Sequence, residues 1–198
     1  KLVYYLVQAG LAGRDIMYDQ NYRYNLAIRK VLDQIAASWE GDRDSAEWEA
    51  FMTYAKRVWF SNGIHHHYST DKLQPAFSRE WFEEAMTGLG LSLEAEAMRA
   101  IFDPDFDAKK ISLDSGRDLL LNSAVNFYAP DVTQKEVEAF YKKRMDPTDP
   151  APIWHGLNSR VIRGEDGAIR EQVYSAEGLY GPAIREIIRW LELAKGVA

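Results

Sequence analysis

No cysteine occurs in this chain, which excludes disulfide staples, thiolate metal sites and thiol redox chemistry and is compatible with a reducing compartment. Long apolar runs are missing as well, since nothing approaches the roughly 20 residues that a membrane-spanning helix needs. The opening Lys1-Leu2-Val3-Tyr4-Tyr5-Leu6-Val7 is too short and too soon polar for a signal peptide. A cytoplasmic location is therefore expected, unless a targeting segment has been lost upstream. Positive charge is scarce: 24 Lys and Arg stand against 30 Asp and Glu, a formal net charge of −6. That balance leaves no basic footprint and points away from nucleic acid, as the missing apolar run points away from a membrane. The four histidines are His65, His66, His67 and His155, and none is followed by Glu. At 198 residues the chain is long enough to bury one core without staples, and a single domain with an internal linker near 146–152 is expected.

Helical periodicity dominates what is present, and the expected class is α+β, predominantly α-helical. Leu2, Tyr5, Leu6, Ala9, Ala12, Ile16 and Met17 predict one helix to about Gln20, and Leu26, Ile28, Leu32 and Ile35 a second from Tyr22 to Ser38, with Arg23, Arg29 and Lys30 on or near its wet side. Asp44 with Glu47 has the form of a capping box for a third helix. Further helices are expected from Ser78 to about Thr87, from Ser92 to Phe102, and after Thr133, whose partner at the third position is Glu136. Near 122–128 a short strand or irregular extended backbone is expected, ending at Pro130. Asn158 to Arg163 and Ala168 to Tyr174 flank an Asp-Gly turn and predict a β-hairpin near 159–174. A last helix after Pro182 would turn Ile184, Ile187, Ile188, Leu191 and Ala194 inward.

The densest chemistry lies between Val58 and Leu73. Trp48, Phe51, Met52, Ala55, Val58 and Trp59 recur at helical spacing until Ser61-Asn62-Gly63, where Asn and Gly supply the left-handed backbone that closes a helix. Ile64-His65-His66-His67-Tyr68-Ser69-Thr70-Asp71-Lys72 follows, a loop crowded with hydrogen-bonding groups. The adjacent imidazoles argue against zinc, which needs ligands converging on one point. In an extended segment His65 and His67 would share one side with His66 opposite, leaving two ligands and no third. Two readings stay open for these histidines: half-buried groups bonded to backbone carbonyls, or ligand contacts. Asp103, Asp105 and Asp107 have the alternation of a calcium loop but lack its Gly and distal Glu, so a solvated turn is the expectation.

The run Trp59-Phe60-Ser61-Asn62-Gly63-Ile64-His65-His66-His67-Tyr68-Ser69-Thr70-Asp71-Lys72 resembles a loop of bacterial dipeptidyl peptidase III, a family of zinc-dependent exopeptidases that remove dipeptides from the amino terminus of short peptides. Leu2 to Asn21, Gly156-Leu157-Asn158-Ser159-Arg160, and Ala183-Ile184 onward to Trp190-Leu191 resemble the same family in the same order. The resemblance implies a longer parent enzyme whose zinc is held by a His-Glu pair, a second His and a further Glu, none of which is visible here. This chain would then be an amino-terminal, non-catalytic lobe with no catalytic or metal residue and no cofactor of its own. Its partners would be a short peptide substrate and the missing catalytic lobe of the same polypeptide. The loop would border the substrate cleft, with His67 and Tyr68, then Asn62 and Asn158, as the substrate-binding candidates. Two rival readings remain at this stage: a stand-alone helical module that binds peptides or proteins, and a small hydrolase using His66 or His155, which lacks a recognisable nucleophile context.

Overall fold

The computed structural model describes residues 1–151, 155–156 and 158–198. Its elements are α1 (Leu2–Ala12), α2 (Arg14–Asn21), α3 (Asn25–Ser38), α4 (Ala46–Ser61), α5 (Arg79–Gly88), α6 (Ala95–Phe102), α7 (Gln134–Lys142), β1 (Ser159–Arg163), β2 (Ile169–Val173) and α8 (Gly181–Lys195). The fold is α+β and predominantly helical, with one antiparallel hairpin, β1 on β2, in which Val161 faces Glu171. The described chain divides into two compact units. One comprises Lys1–Gln20, Ser112–Asn122 and Asn126–Ala198; the other comprises Asn21–Ile111 and Ser123–Val125.

In the second unit the core follows from helical periodicity. Ile28, Leu32 and Ile35 of α3, Phe51, Ala55 and Val58 of α4, Phe82 of α5 and Ile101 of α6 are all buried. Rings fill the space between helices: Trp39 stacks on Trp48 with centroids 4.9 Å apart, and Phe77 meets Phe82 at 5.5 Å and Phe102 at 5.8 Å. Several expected boundaries are corrected here. α3 begins at Asn25 rather than Tyr22, and Arg29, expected near solvent, is buried and pairs with Asp33. Ser45, not Asp44, caps α4, its side chain accepting from the Trp48 N–H. Glu47 does not close a capping box; its carboxylate accepts from the Ser78 N–H at 2.9 Å and hydroxyl at 2.7 Å, 31 positions away. α6 starts at Ala95 with Glu94 before it, so Ser92 caps nothing.

In the first unit the expected helix over Leu2 to Gln20 is divided at Gly13. Glycine is the poorest ordinary residue in a helix interior, and a Cβ on Gly13 would make only ordinary contact with Ile187 Cδ1 of α8, at 3.4 Å, so the break follows from helix propensity and not from crowding. α1 packs along α8, where Trp190 sits 5.9 Å from the rings of Tyr4 and Tyr5. Ile188 and Leu191, expected inward, are exposed, as are Val3, Tyr4, Leu6 and Val7 of α1. Val132, Val137 and Val161 form a separate small core under the hairpin. The segment near 122–128 is irregular, joined to the hairpin by a single parallel bridge from Tyr128 to Val161. Residues 146–151 of the expected linker make tight turns, with the Asp146 carboxylate accepting from the Thr148 N–H and hydroxyl. Pro152 of that linker and Leu157 of the Gly156–Arg160 stretch lie outside the described residues.

The box at Thr133 is complete. The Thr133 side chain accepts from the Glu136 N–H, and Glu136 accepts from the Thr133 N–H at 2.9 Å. Those bonds, with Arg163 beside them, hold the Glu136 carboxyl well below the usual carboxylate range. Thr133→Ala is expected to cost about 1 kcal/mol in urea unfolding, the usual loss for a cap; an unchanged midpoint would mean that α7 does not depend on it.

Candidate functional site

Asn62 ends α4 in the left-handed conformation, φ 52°, as the Asn-Gly pair anticipates. From there the chain makes a pinned excursion. The Leu73 N–H bonds the Ile64 carbonyl at 2.8 Å, the His66 N–H bonds the Asp71 carbonyl at 2.7 Å, and the Thr70 N–H returns to the His66 carbonyl at 3.1 Å. His65 and Lys72 face each other across this small ladder. The loop is therefore a hydrogen-bonded finger on a packed helix, and the backbone of its tip is held in place.

Its base is held by the acidic turn. Lys72, buried, donates from Nζ to the carbonyls of Asp103 and Phe106. The Asp107 carbonyl lies 2.8 Å from His65 Nε2, and the Asp107 carboxylate accepts from the Tyr22 hydroxyl at 2.7 Å. The turn expected to be merely solvated thus anchors the histidine loop through its carbonyls. Sequence reasoning missed that link because Lys72 and Asp103 are separated by 31 positions, and only the Asp-Lys pair at the end of the loop hinted at a buried partner.

The three imidazoles have three different environments. His65 is 2% exposed, and burial takes its pKa down to about 4, against the Asp107 carbonyl, which favours the charged form. His66 Nδ1 accepts from the Tyr68 and Ser69 N–H groups, both at 3.2 Å. The ring proton therefore belongs on Nε2, which is left as a donor. His67 is exposed, its ring edge-on to Phe60 at 4.9 Å and to Tyr68 at 5.5 Å. Tyr68 is 86% exposed, so its phenol face is open to whatever meets the loop.

Of the candidates read from sequence, His67 and Tyr68 stand together at the tip. Asn62 is half-buried at the root, where its carbonyl accepts from Asn21 Nδ2 at 3.0 Å. Asn158 belongs to the other unit and is exposed just before β1, its carbonyl bonded to the Tyr174 N–H at 2.8 Å. Beside the tip, a depression of about 440 Å³ is lined by Lys56, Arg57, Phe60, His66, His67 and Leu73. Lys56, Arg57 and Phe60 were not singled out from the sequence. Their signal was faint: three solvent-facing positions at spacings of one, three and four near the end of the helix that carries the loop.

A zinc ligand set does not fit these residues. His65 gives Nε2 to a carbonyl and His66 gives Nδ1 to two N–H groups, so their lone pairs do not converge on one point. Among the described residues no group of three or more His, Cys, Asp or Glu side chains is arranged to hold a metal. No described helix is long and apolar enough to cross a membrane.

No protein-family model matches the sequence, and no curated protein matches it.

Proposed function

We propose that this chain is the peptide-contacting, non-catalytic lobe of a zinc-dependent dipeptidyl peptidase III-like exopeptidase. The observation that carries the reading is the His66–Tyr68 tip: an exposed phenol and imidazole on a loop whose backbone is already bonded, with the buried His65 as its foundation. A preorganised aromatic tip can pack on a peptide side chain while an imidazole N–H bonds its backbone, and little ordering cost is incurred on binding. Zinc and the water-activating Glu would lie on polypeptide beyond this chain, and no step of hydrolysis is assigned to the residues present. The apolar side chains left exposed along α1 and α8, Val3 and Val7 among them, suit burial by that further lobe.

Two outcomes follow. The chain alone is expected to release no dipeptide from a short peptide, with or without added zinc; turnover proportional to its own concentration would contradict the assignment. Tyr68→Ala is expected to weaken short-peptide binding by about tenfold, the loss typical of an aromatic contact, while the melting temperature stays put because the ring is outside the core. Calorimetry with both proteins reads this directly, and unchanged affinity would remove Tyr68 from the site.

A further inference from the structure

We propose that the depression beside the loop tip, at the C-terminal end of α4, is a carboxylate-binding subsite that fixes an anionic group of the peptide. This rests on the reading of the loop as a peptide-contact surface. Lys56 and Phe60, and likewise Arg57 and Ser61, are four residues apart, so each pair shares a row on the helix surface, and all four line the depression.

Arg57 is the exception in its unit. Arg23 pairs with Asp107, Arg29 with Asp33, Arg79 with Glu83 and Arg99 with Asp103, while Arg43 donates to the Trp39 carbonyl. Neither Arg57 nor Lys56 has a hydrogen-bond or ion-pair partner among the described residues. Both cations are exposed and solvated, so an arriving anion displaces water and competes with no carboxylate of the chain. The loop's own carboxylate does not serve, because Asp71 is held by Lys109.

The rest of the lining suits the same ligand. A guanidinium fork matches a carboxylate in two parallel bonds, and an ammonium adds a mobile charge. His66, with Nδ1 occupied by backbone, offers an Nε2–H donor. Phe60, 73% exposed, and Leu73 supply an apolar wall, which excludes water from one side and strengthens the charge contact. A carboxylate can come from the carboxyl terminus of a short peptide or from an Asp or Glu side chain, and both present the same two oxygens.

The test titrates this chain calorimetrically with one neutral tetrapeptide in three forms: free carboxyl terminus, amidated terminus, and amidated with an internal Glu. The free-acid form, the Glu form, or both are expected to bind roughly threefold to tenfold tighter than the neutral amide, with the advantage fading as salt rises; which form gains identifies the source. The double variant Lys56→Gln, Arg57→Gln, at two exposed positions, is expected to abolish that advantage and leave the neutral amide unaffected. Equal affinity for all three forms, or an advantage that survives the double variant, overturns the subsite. Tyr68→Ala separates the two ideas, because it is expected to weaken all three forms alike. If it weakens none while the carboxylate preference persists, the peptide-contact role of the tip fails and the subsite stands. Failure of every form to bind overturns both.

Discussion

Gly63→Ala is expected to destabilise the protein by about 3 to 5 kcal/mol, combining backbone strain with loss of a buried hydrogen bond. Gly63 sits at φ +146°, a region that side chains with a Cβ rarely adopt, and an added Cβ would stand 2.1 Å from Asn25 Nδ2 and 2.6 Å from its Cγ. Asn25 cannot yield easily. It is 1% exposed, and its Oδ1 accepts the Ile64 N–H at 3.0 Å. Pushing it aside strips a partner from the first residue of the histidine loop. A fall of about 10 °C in melting temperature is expected for a chain of this size. Gly90→Ala is the control, since Gly90 also has a positive φ, +68°, but meets nothing within 4 Å; it is expected to cost only about 1 kcal/mol. Equal losses at the two positions would mean that Asn25 is not the reason.

Acid is expected to remove about 3 kcal/mol of stability through His65 alone. Burial is the main cause of its lowered pKa, and Lys72 and Lys110 nearby oppose a further positive charge, while the Asp107 carbonyl and carboxylate favour it. The pKa falls from 6.5 in the unfolded chain to about 4 in the folded one. Between those values the unfolded state binds a proton that the folded state does not, so stability rises with pH there. The contribution is complete above about 6.5 and is lost progressively as pH falls to about 4, a span worth about 3 kcal/mol at 1.36 kcal/mol per unit. His65→Gln keeps a donor for the Asp107 carbonyl and cannot titrate. Urea unfolding of both proteins from pH 7.5 to 4 is expected to show that slope in the wild type and a flatter one in the variant, the carboxylates common to both cancelling. Parallel profiles would place His65 in a wetter environment than its burial implies.

Local chemistry was legible in the sequence wherever a short motif carries its own geometry. The Asp-Gly turn at 166–167 forms the hairpin, Thr133 and Glu136 bond each other, and Asn62-Gly63 ends α4. What escaped were pairings that only the folded chain brings together. Glu47 reads as the partner of Asp44 by spacing, yet it satisfies Ser78 at the start of α5, because a cap donor 31 positions away is invisible to a local pattern. Arg29 reads as solvent-facing by charge, but a long side chain can lie along the core and bring its head to Asp33. The same limit applies to the site. The loop's wealth of polar groups was plain, whereas the division of labour among three identical residues was not, because burial and tautomer are set by Asp107, Tyr68 and Ser69.

The most direct test of a peptide-contacting tip follows the histidine ring signals by NMR while a neutral tetrapeptide is added to this chain. The His67 resonance, and less strongly that of His66, is expected to move in a saturating fashion, with His65 unmoved and the midpoint about tenfold higher in Tyr68→Ala. A stationary His67 signal at saturating peptide, or a midpoint that is unchanged without the Tyr68 ring, would contradict the claim that substrate meets this lobe at residues 66–68.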